Sequence, residues 1–107
     1  MTHHEVAHRH EIGVKTMMFG TDFPHPEGTL GRTVGYLNHI LSGTSITEPE
    51  VRAIVGENTA RCYGLDMDHM QSLASRVGPT IEELVVPSNE PVDPETAMWA
   101  AKPSFMF

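Results

Sequence analysis

The sequence is poor in the residues that define several common protein classes. A single cysteine, Cys62, among 107 residues excludes an intrachain disulfide framework and is typical of a reducing cytosol, so we expect a cytoplasmic protein. Because Cys62 lies in a predicted helix, we expect it to be a small buried apolar residue rather than a nucleophile. No apolar run is long enough to cross a bilayer, and the polar residues after Met1 do not resemble a signal peptide.

Basic residues are also scarce. The chain contains seven Lys and Arg residues and fourteen Asp and Glu residues, which gives a formal net charge of -7. Nucleic acids and anionic membranes both require a cationic surface, so neither is expected as a partner. The length allows one small domain with one core.

One short segment carries most of the functional signal. The apolar residues Met17-Met18-Phe19 are followed directly by Gly20-Thr21-Asp22-Phe23-Pro24-His25. This continuous apolar stretch predicts a short strand over residues 15–19 that is buried on both faces, as in parallel sheets, and the prolines end it. A carboxylate at the end of such a strand is where a β/α barrel holds catalytic groups. Composition alone favours a simpler explanation, in which Asp22 is a turn residue that caps the loop before Pro24.

Most of the remaining chain is predicted to be helical. Apolar spacing and capping residues indicate helices over about residues 5–11, 32–41, 47–55, 57–63, 66–77 and 80–85, with Gly56 as an interruption. Capping boxes are predicted for Thr47 with Glu50 and for Thr80 with Glu83. From residue 86, four of the eight prolines predict an extended tail. The apolar end of that tail favours packing on another surface over a free end, and it comprises Met98, Trp99, Phe105, Met106 and Phe107. A single strand leaves its edges unpaired, so either the strand prediction is wrong or other strands come from elsewhere.

Two motifs resemble the amidohydrolase-related family, in the branch that includes aminocarboxymuconate-semialdehyde-type decarboxylases. Residues 17–29, which contain Gly20-Thr21-Asp22-Phe23-Pro24-His25, resemble the last barrel strand of that family. Residues 51–64 resemble its C-terminal signature, with Gly56-Glu57-Asn58-Thr59-Ala60-Arg61-Cys62-Tyr63-Gly64 matching Gly-x-Asn-x-Ala-Arg-x-Tyr-Gly. The resemblance extends over residues 9–85.

The resemblance implies an α/β fold, specifically the C-terminal portion of a TIM-type (β/α)8 barrel. In isolation this portion would comprise one short strand plus four or five helices over residues 1–85, and an extended tail over residues 86–107. It implies hydrolysis or non-oxidative decarboxylation of a small-molecule substrate at a divalent metal, most typically zinc. Asp22 would bind that metal or handle the proton of its water, His25 would orient substrate or a neighbouring loop, and Asn58 would hold the helix turn.

The family's other metal ligands precede this segment and are not in this chain, which is far shorter than the roughly 250 residues of a barrel. We therefore expect a fragment that does not hold the metal alone and is inactive alone. Its partner would be the remainder of a barrel or further copies of the chain.

Two alternatives stay open. His4-Glu5-Val6-Ala7-His8 matches the H-E-x-x-H pattern of zinc hydrolases, in which two histidines one helical turn apart bind zinc and the glutamate is the general base. The missing ligands and the apolar tail are also compatible with a non-catalytic helical module that assembles with another chain.

Overall fold

The computed structural model describes residues 1–101, and every regular element in that range is helical. The α-helices are α1 (His3–Ala7), α2 (Arg9–Ile12), α3 (Thr33–Leu41), α4 (Glu48–Arg52), α5 (Asn58–Tyr63), α6 (Met67–Val77), α7 (Ile81–Val85) and α8 (Pro94–Ala101). A 3-10 turn occupies Val14–Thr16, and a π-helical turn, Ala53–Glu57, joins α4 to α5.

Local capping signals account for most helix starts. Thr47 with Glu50 and Thr80 with Glu83 form the two predicted capping boxes, and the Asp66 side chain accepts the His69 N–H at the start of α6. A third box, formed by Thr2 and Glu5 at α1, was not predicted. Each cap satisfies backbone N–H groups that have no partner within the helix. The predictions for α3, α6 and α7 are confirmed to within a residue or two.

The core surrounds α3, which packs against α1, α7 and α8. Its buried residues recur at helical spacing, and the core cluster consists of Val6, Tyr36, Leu37, Ile40, Leu41, Val51, Leu84 and Ala100. The amide of Asn38 enters the same helix face and donates to the Glu83 and Val86 carbonyls, at 2.9 and 2.7 Å. These bonds fix the end of α7 against α3.

The predicted strand over residues 15–19 is not formed within the described chain. Val14–Thr16 is a 3-10 turn, and Met17 begins an extended stretch with φ -83° and ψ 130°. The physical reason is the absence of strands beside it in residues 1–101, because extended backbone becomes a strand only through ladder hydrogen bonds. The expectation of an α/β barrel segment concerns a complete enzyme and stays a prediction.

The extended-tail prediction is wrong for residues 94–101. Residues in this range form α8, in which Pro94 occupies the first turn, where a missing N–H is tolerated. Thr96 and Ala100 are buried, and Trp99 packs against the core. Residues 86–93 lack helix in this structure. Phe105, Met106 and Phe107 lie outside the described residues.

The segment from α5 to α6 extends past the core. Cys62 is exposed, contrary to the expectation that it is buried, and Tyr63 beside it is exposed as well. Met67 and Met70 of α6 are more than a third exposed, and α6 contributes no residue to the core cluster. Among the described residues, no helix is long and apolar enough to span a membrane.

Candidate functional site

The segment that leads to Asp22 is fixed to the long helical stretch of α4, the π-helical turn and α5. The Asn58 side chain is 2% exposed, and its Nδ2 donates to the Val14 and Met17 carbonyls at 2.7 and 2.8 Å. The Phe19 N–H donates to the Ile54 carbonyl of the π-helical turn at 3.0 Å. Asn58 is therefore a structural residue, as predicted, but most of its bonds cross the chain instead of holding its own helix turn.

Asp22 begins a compact loop. The His25 N–H donates to the Asp22 carbonyl at 2.8 Å, and the Thr29 N–H donates to the Thr21 carbonyl at 3.0 Å. Asp22 has a φ of +56°, in the left-handed region that Asp and Asn tolerate better than other non-glycine residues. The loop thus presents the Asp22 side chain from a defined, uncommon backbone conformation.

Gly28 makes this loop possible. A Cβ atom at position 28 would lie 2.8 Å from the Thr21 oxygen, 2.9 Å from the His25 oxygen and 3.0 Å from the Asp22 oxygen. All three are backbone carbonyls, so relief would require the loop itself to move. Only glycine is compatible with such close approach of backbone to backbone.

We expect Gly28→Ala to destabilise the protein by more than about 1 kcal/mol and to displace the Asp22 loop. The matched control is Gly35→Ala in α3, where a Cβ meets nothing within 4 Å and alanine is the better helix former by about 1 kcal/mol. Thermal unfolding and amide chemical shifts of the loop measure both effects. Equal melting temperatures and unshifted loop resonances in the two variants would contradict the close-packing argument.

Asp22, His25 and Glu27 come together at the loop surface. His25 Nδ1 lies 3.7 Å from Asp22 Oδ2 and 3.5 Å from Glu27 Oε1, so the imidazole lies between two carboxylates. The side chains of Asp22 and His25 are 62% and 61% exposed, whereas Glu27 is 23% exposed. One ligand atom from each residue lies within 4.8 Å of the others.

A cleft of about 270 Å³ adjoins this cluster. Asp22 and Glu27 line this cleft together with threonine residues. The aromatic residues Phe19, Tyr36 and Trp99 also line it. The Tyr36 hydroxyl donates to the Met1 carbonyl at 2.8 Å. Burial, reinforced by the negative charge of Glu5 and opposed by Arg32, raises the pKa of Tyr36, so its phenol stays protonated at neutral pH. The cleft therefore combines carboxylates with an apolar aromatic surface.

The cluster has a donor set that suits a divalent cation. One imidazole and two carboxylates match the nitrogen and oxygen ligands of catalytic zinc. In a tetrahedral site, ligand atoms lie roughly 3.3 Å apart, whereas these atoms lie within 4.8 Å. The residues fit a metal chemically, and they would have to move closer to hold one.

The H-E-x-x-H alternative receives no geometric support. The His4 and His8 rings lie with centroids 4.3 Å apart, but the Glu5 carboxylate accepts the Thr2 N–H at 2.7 Å as part of the α1 capping box. Among the described residues, His4, Glu5 and His8 do not form a three-ligand cluster. The capping role at the start of α1 accounts for a glutamate at position 5.

Sequence reasoning found part of this site. Asp22 lies at a concave surface and His25 lies beside it, as the motif suggested, although their predicted roles are untested. Glu27 was missed, and its position two residues after His25 was an available signal. Trp99 was missed as a cleft residue because no local pattern connects it to a loop more than seventy positions earlier in the chain.

The loop that carries Asp22 and Glu27 lies beside a small cleft. The sequence model of the amidohydrolase family matches residues 3–65, which is more than half of the chain and includes both motifs. The chain therefore belongs to the amidohydrolase family. The match does not extend over residues 66–85, where the resemblance was also expected. Comparison with curated proteins and with solved structures gave no match.

Proposed function

We propose that this chain is the C-terminal segment of a metal-dependent hydrolase or non-oxidative decarboxylase of the amidohydrolase superfamily, in which Asp22 is the metal-binding or proton-handling residue. The observation that carries the proposal is the position of Asp22. It lies within the family-matching segment, lines a cleft, and is close to an imidazole and a second carboxylate. The remainder of the barrel, or further copies of this chain, would supply the missing ligands.

The chemistry follows from these groups. A divalent cation, when bound, would act as a Lewis acid and lower the pKa of a bound water. Asp22 would hold the cation or accept a proton from the attacking water, since a carboxylate is a competent general base when it is positioned within hydrogen-bonding reach. His25, whose Nδ1 faces both carboxylates, would orient Asp22 and Glu27 or the substrate. Alone, we expect the chain to show weak or no turnover.

The test compares zinc binding by two variants of the purified full chain. The parent carries His4→Ala and His8→Ala, so that the N-terminal histidines do not contribute, and the second variant adds Asp22→Asn. Asparagine preserves both the size and the left-handed backbone of Asp22 but removes the charge. Titration calorimetry with zinc chloride is expected to show weak binding by the parent, weakened at least about tenfold by the added substitution.

Equal zinc affinities in the two variants would contradict the role of Asp22. Loss of binding caused by His4→Ala and His8→Ala alone, relative to the natural sequence, would instead revive the H-E-x-x-H alternative. Circular dichroism of each variant verifies that the fold is retained.

A second candidate function is a non-catalytic module that assembles with another chain. The observation that favours it is a groove of about 680 Å³ between α6 and the α4–α5 stretch, lined by apolar residues that include Val55, Met67 and Met70. Exposed apolar surface of this kind marks interaction sites. If zinc binding is independent of Asp22 and light scattering gives a mass well above the 11.8 kDa of one chain, this second function is preferred.

A further inference from the structure

Helix α8 lies outside the family-matching segment and yet borders the same cleft as Asp22. The match ends at residue 65, whereas α8 begins at Pro94. Trp99 of this helix lines the cleft, is half-buried, and packs against the core. Part of the cleft lining, Trp99, therefore comes from outside the family-matching residues.

One side chain connects α8 to the loop that carries Asp22. Arg32 Nη1 lies 2.7 Å from Glu95 Oε2 of α8, and Arg32 Nη2 donates to the Gly28 carbonyl at 2.6 Å. Within α8, the Thr96 N–H is capped by Asp93 Oδ1 at 2.9 Å, and Thr96 and Ala100 are each 1% exposed. The cap, the buried face and the ion pair to Arg32 hold α8 against the rest of the fold, with Trp99 and Asp22 lining the same cleft.

The size of the cleft limits what can bind there. A volume of about 270 Å³ is near the lower limit for small-molecule pockets, which begin at about 300 Å³. The aromatic lining provides apolar surface, and the carboxylates lie along the same cleft. A compact ligand with an apolar body and one polar group satisfies both features.

We propose that Trp99 is a substrate-binding residue of this site, which holds the apolar body of a compact substrate beside Asp22. The inference rests on the proposed function, because it assigns a substrate surface to the same cleft. Trp99 is the single tryptophan of the chain, so its indole Nε1–H gives one isolated resonance that reports on the cleft.

The test is a titration of the full chain, labelled with ¹⁵N, with benzyl alcohol as a compact apolar probe. In the natural sequence, the Trp99 indole resonance and the Asp22 amide resonance are expected to shift together and saturably. Titration of Trp99→Ala is followed through the Asp22 amide resonance, and its affinity for benzyl alcohol is expected to fall at least about tenfold. Trp99→Phe is expected to have an affinity within about threefold of that of the natural sequence. The matched control is Met98→Ala, an adjacent residue that is 53% exposed and does not line the cleft.

Wild-type affinity in Trp99→Ala, or shifts confined to groove residues such as Met67 and Met70, would overturn the inference. If Trp99 only stabilises the packing, Trp99→Phe should have a lowered melting temperature and should not recover the affinity for benzyl alcohol. Zinc binding separates the two proposals. Trp99→Ala is expected to bind zinc with the affinity of the natural sequence. If zinc affinity depends on Asp22 but benzyl alcohol affinity does not depend on Trp99, this inference is refuted and the proposed function is not.

Discussion

Replacing Arg9 with methionine is expected to destabilise the protein by about 3–5 kcal/mol, the cost typical of breaking one side of a buried charged network. Arg9 is 5% exposed, and its guanidinium donates to four acceptors. It reaches Glu50 Oε2 at 2.9 Å, and the carbonyls of Val6, Thr44 and Ser45 at 3.1, 3.2 and 3.4 Å. Methionine keeps the apolar stem but leaves these acceptors without their donor.

The matched control is Arg52→Met. Arg52 is 42% exposed and pairs with Glu48 one turn away on its own helix at 2.9 Å, an arrangement worth no more than about 0.5 kcal/mol. Thermal unfolding is the measurement. At about 4–8 °C per kcal/mol for a chain of this size, Arg9→Met should lower the melting temperature by more than about 12 °C, and the control by only a few degrees. Similar melting temperatures for the two variants would show that the Arg9 network contributes no more than a surface ion pair.

The Arg9 effect has a defined pH dependence. Burial would raise the pKa of Glu50, but hydrogen bonds from Thr47 and Arg9, with the charges of Arg9 and His10, outweigh it and hold the pKa below its usual value. A carboxyl with a lowered folded-state pKa stabilises the fold above its unfolded pKa, and the stabilisation is lost as pH falls through the folded value. The difference between natural sequence and Arg9→Met should therefore shrink below about pH 4.3. The contribution of the three carbonyls should remain.

Asn58→Ala is expected to cost about 2–6 kcal/mol, because the carbonyls of Val14 and Met17 lose their donor at about 1–3 kcal/mol each. The same change should loosen the segment that carries Asp22. Hydrogen exchange of the Phe19 N–H, which donates to Ile54, should accelerate more than exchange within α3.

Asn89→Ala is the control, since Asn89 is exposed in a segment without helix. It should leave both the melting temperature and the Phe19 exchange rate unchanged. If Asn58→Ala accelerates exchange equally in α3 and at Phe19, the asparagine stabilises the whole fold without holding the site segment in particular.

These predictions bear on the proposed function because the site depends on distant supports. The position of Asp22 is set by Asn58, Ile54 and Gly28, none of which contacts the cleft. If the site is inherited from an amidohydrolase barrel, this support should persist even where the chain alone lacks activity. Loss of zinc affinity in Asn58→Ala, with Asp22 itself unchanged, would be the expected consequence.

The sequence determined most of the helices, with α8 as the exception, because their signals are local. Capping boxes act over three residues, and the apolar stripes of α3 and α6 recur within two turns. The family motif also pointed to Asp22, since the motif is a run of consecutive residues. Residues within a few positions of one another are bound to be neighbours, so patterns at this range predict contacts directly.

The tertiary structure decided the rest, since burial and pairing depend on segments far apart in the chain. Whether residues 15–19 form a strand depends on neighbouring strands, which the described chain does not contain. Arg9 became buried because Glu50 and the residue 44–45 turn fold over it, and Trp99 reached the cleft because α8 packs on α3. Cys62 and the methionines of α6 are exposed because the core forms around α3 and includes no residue of that segment.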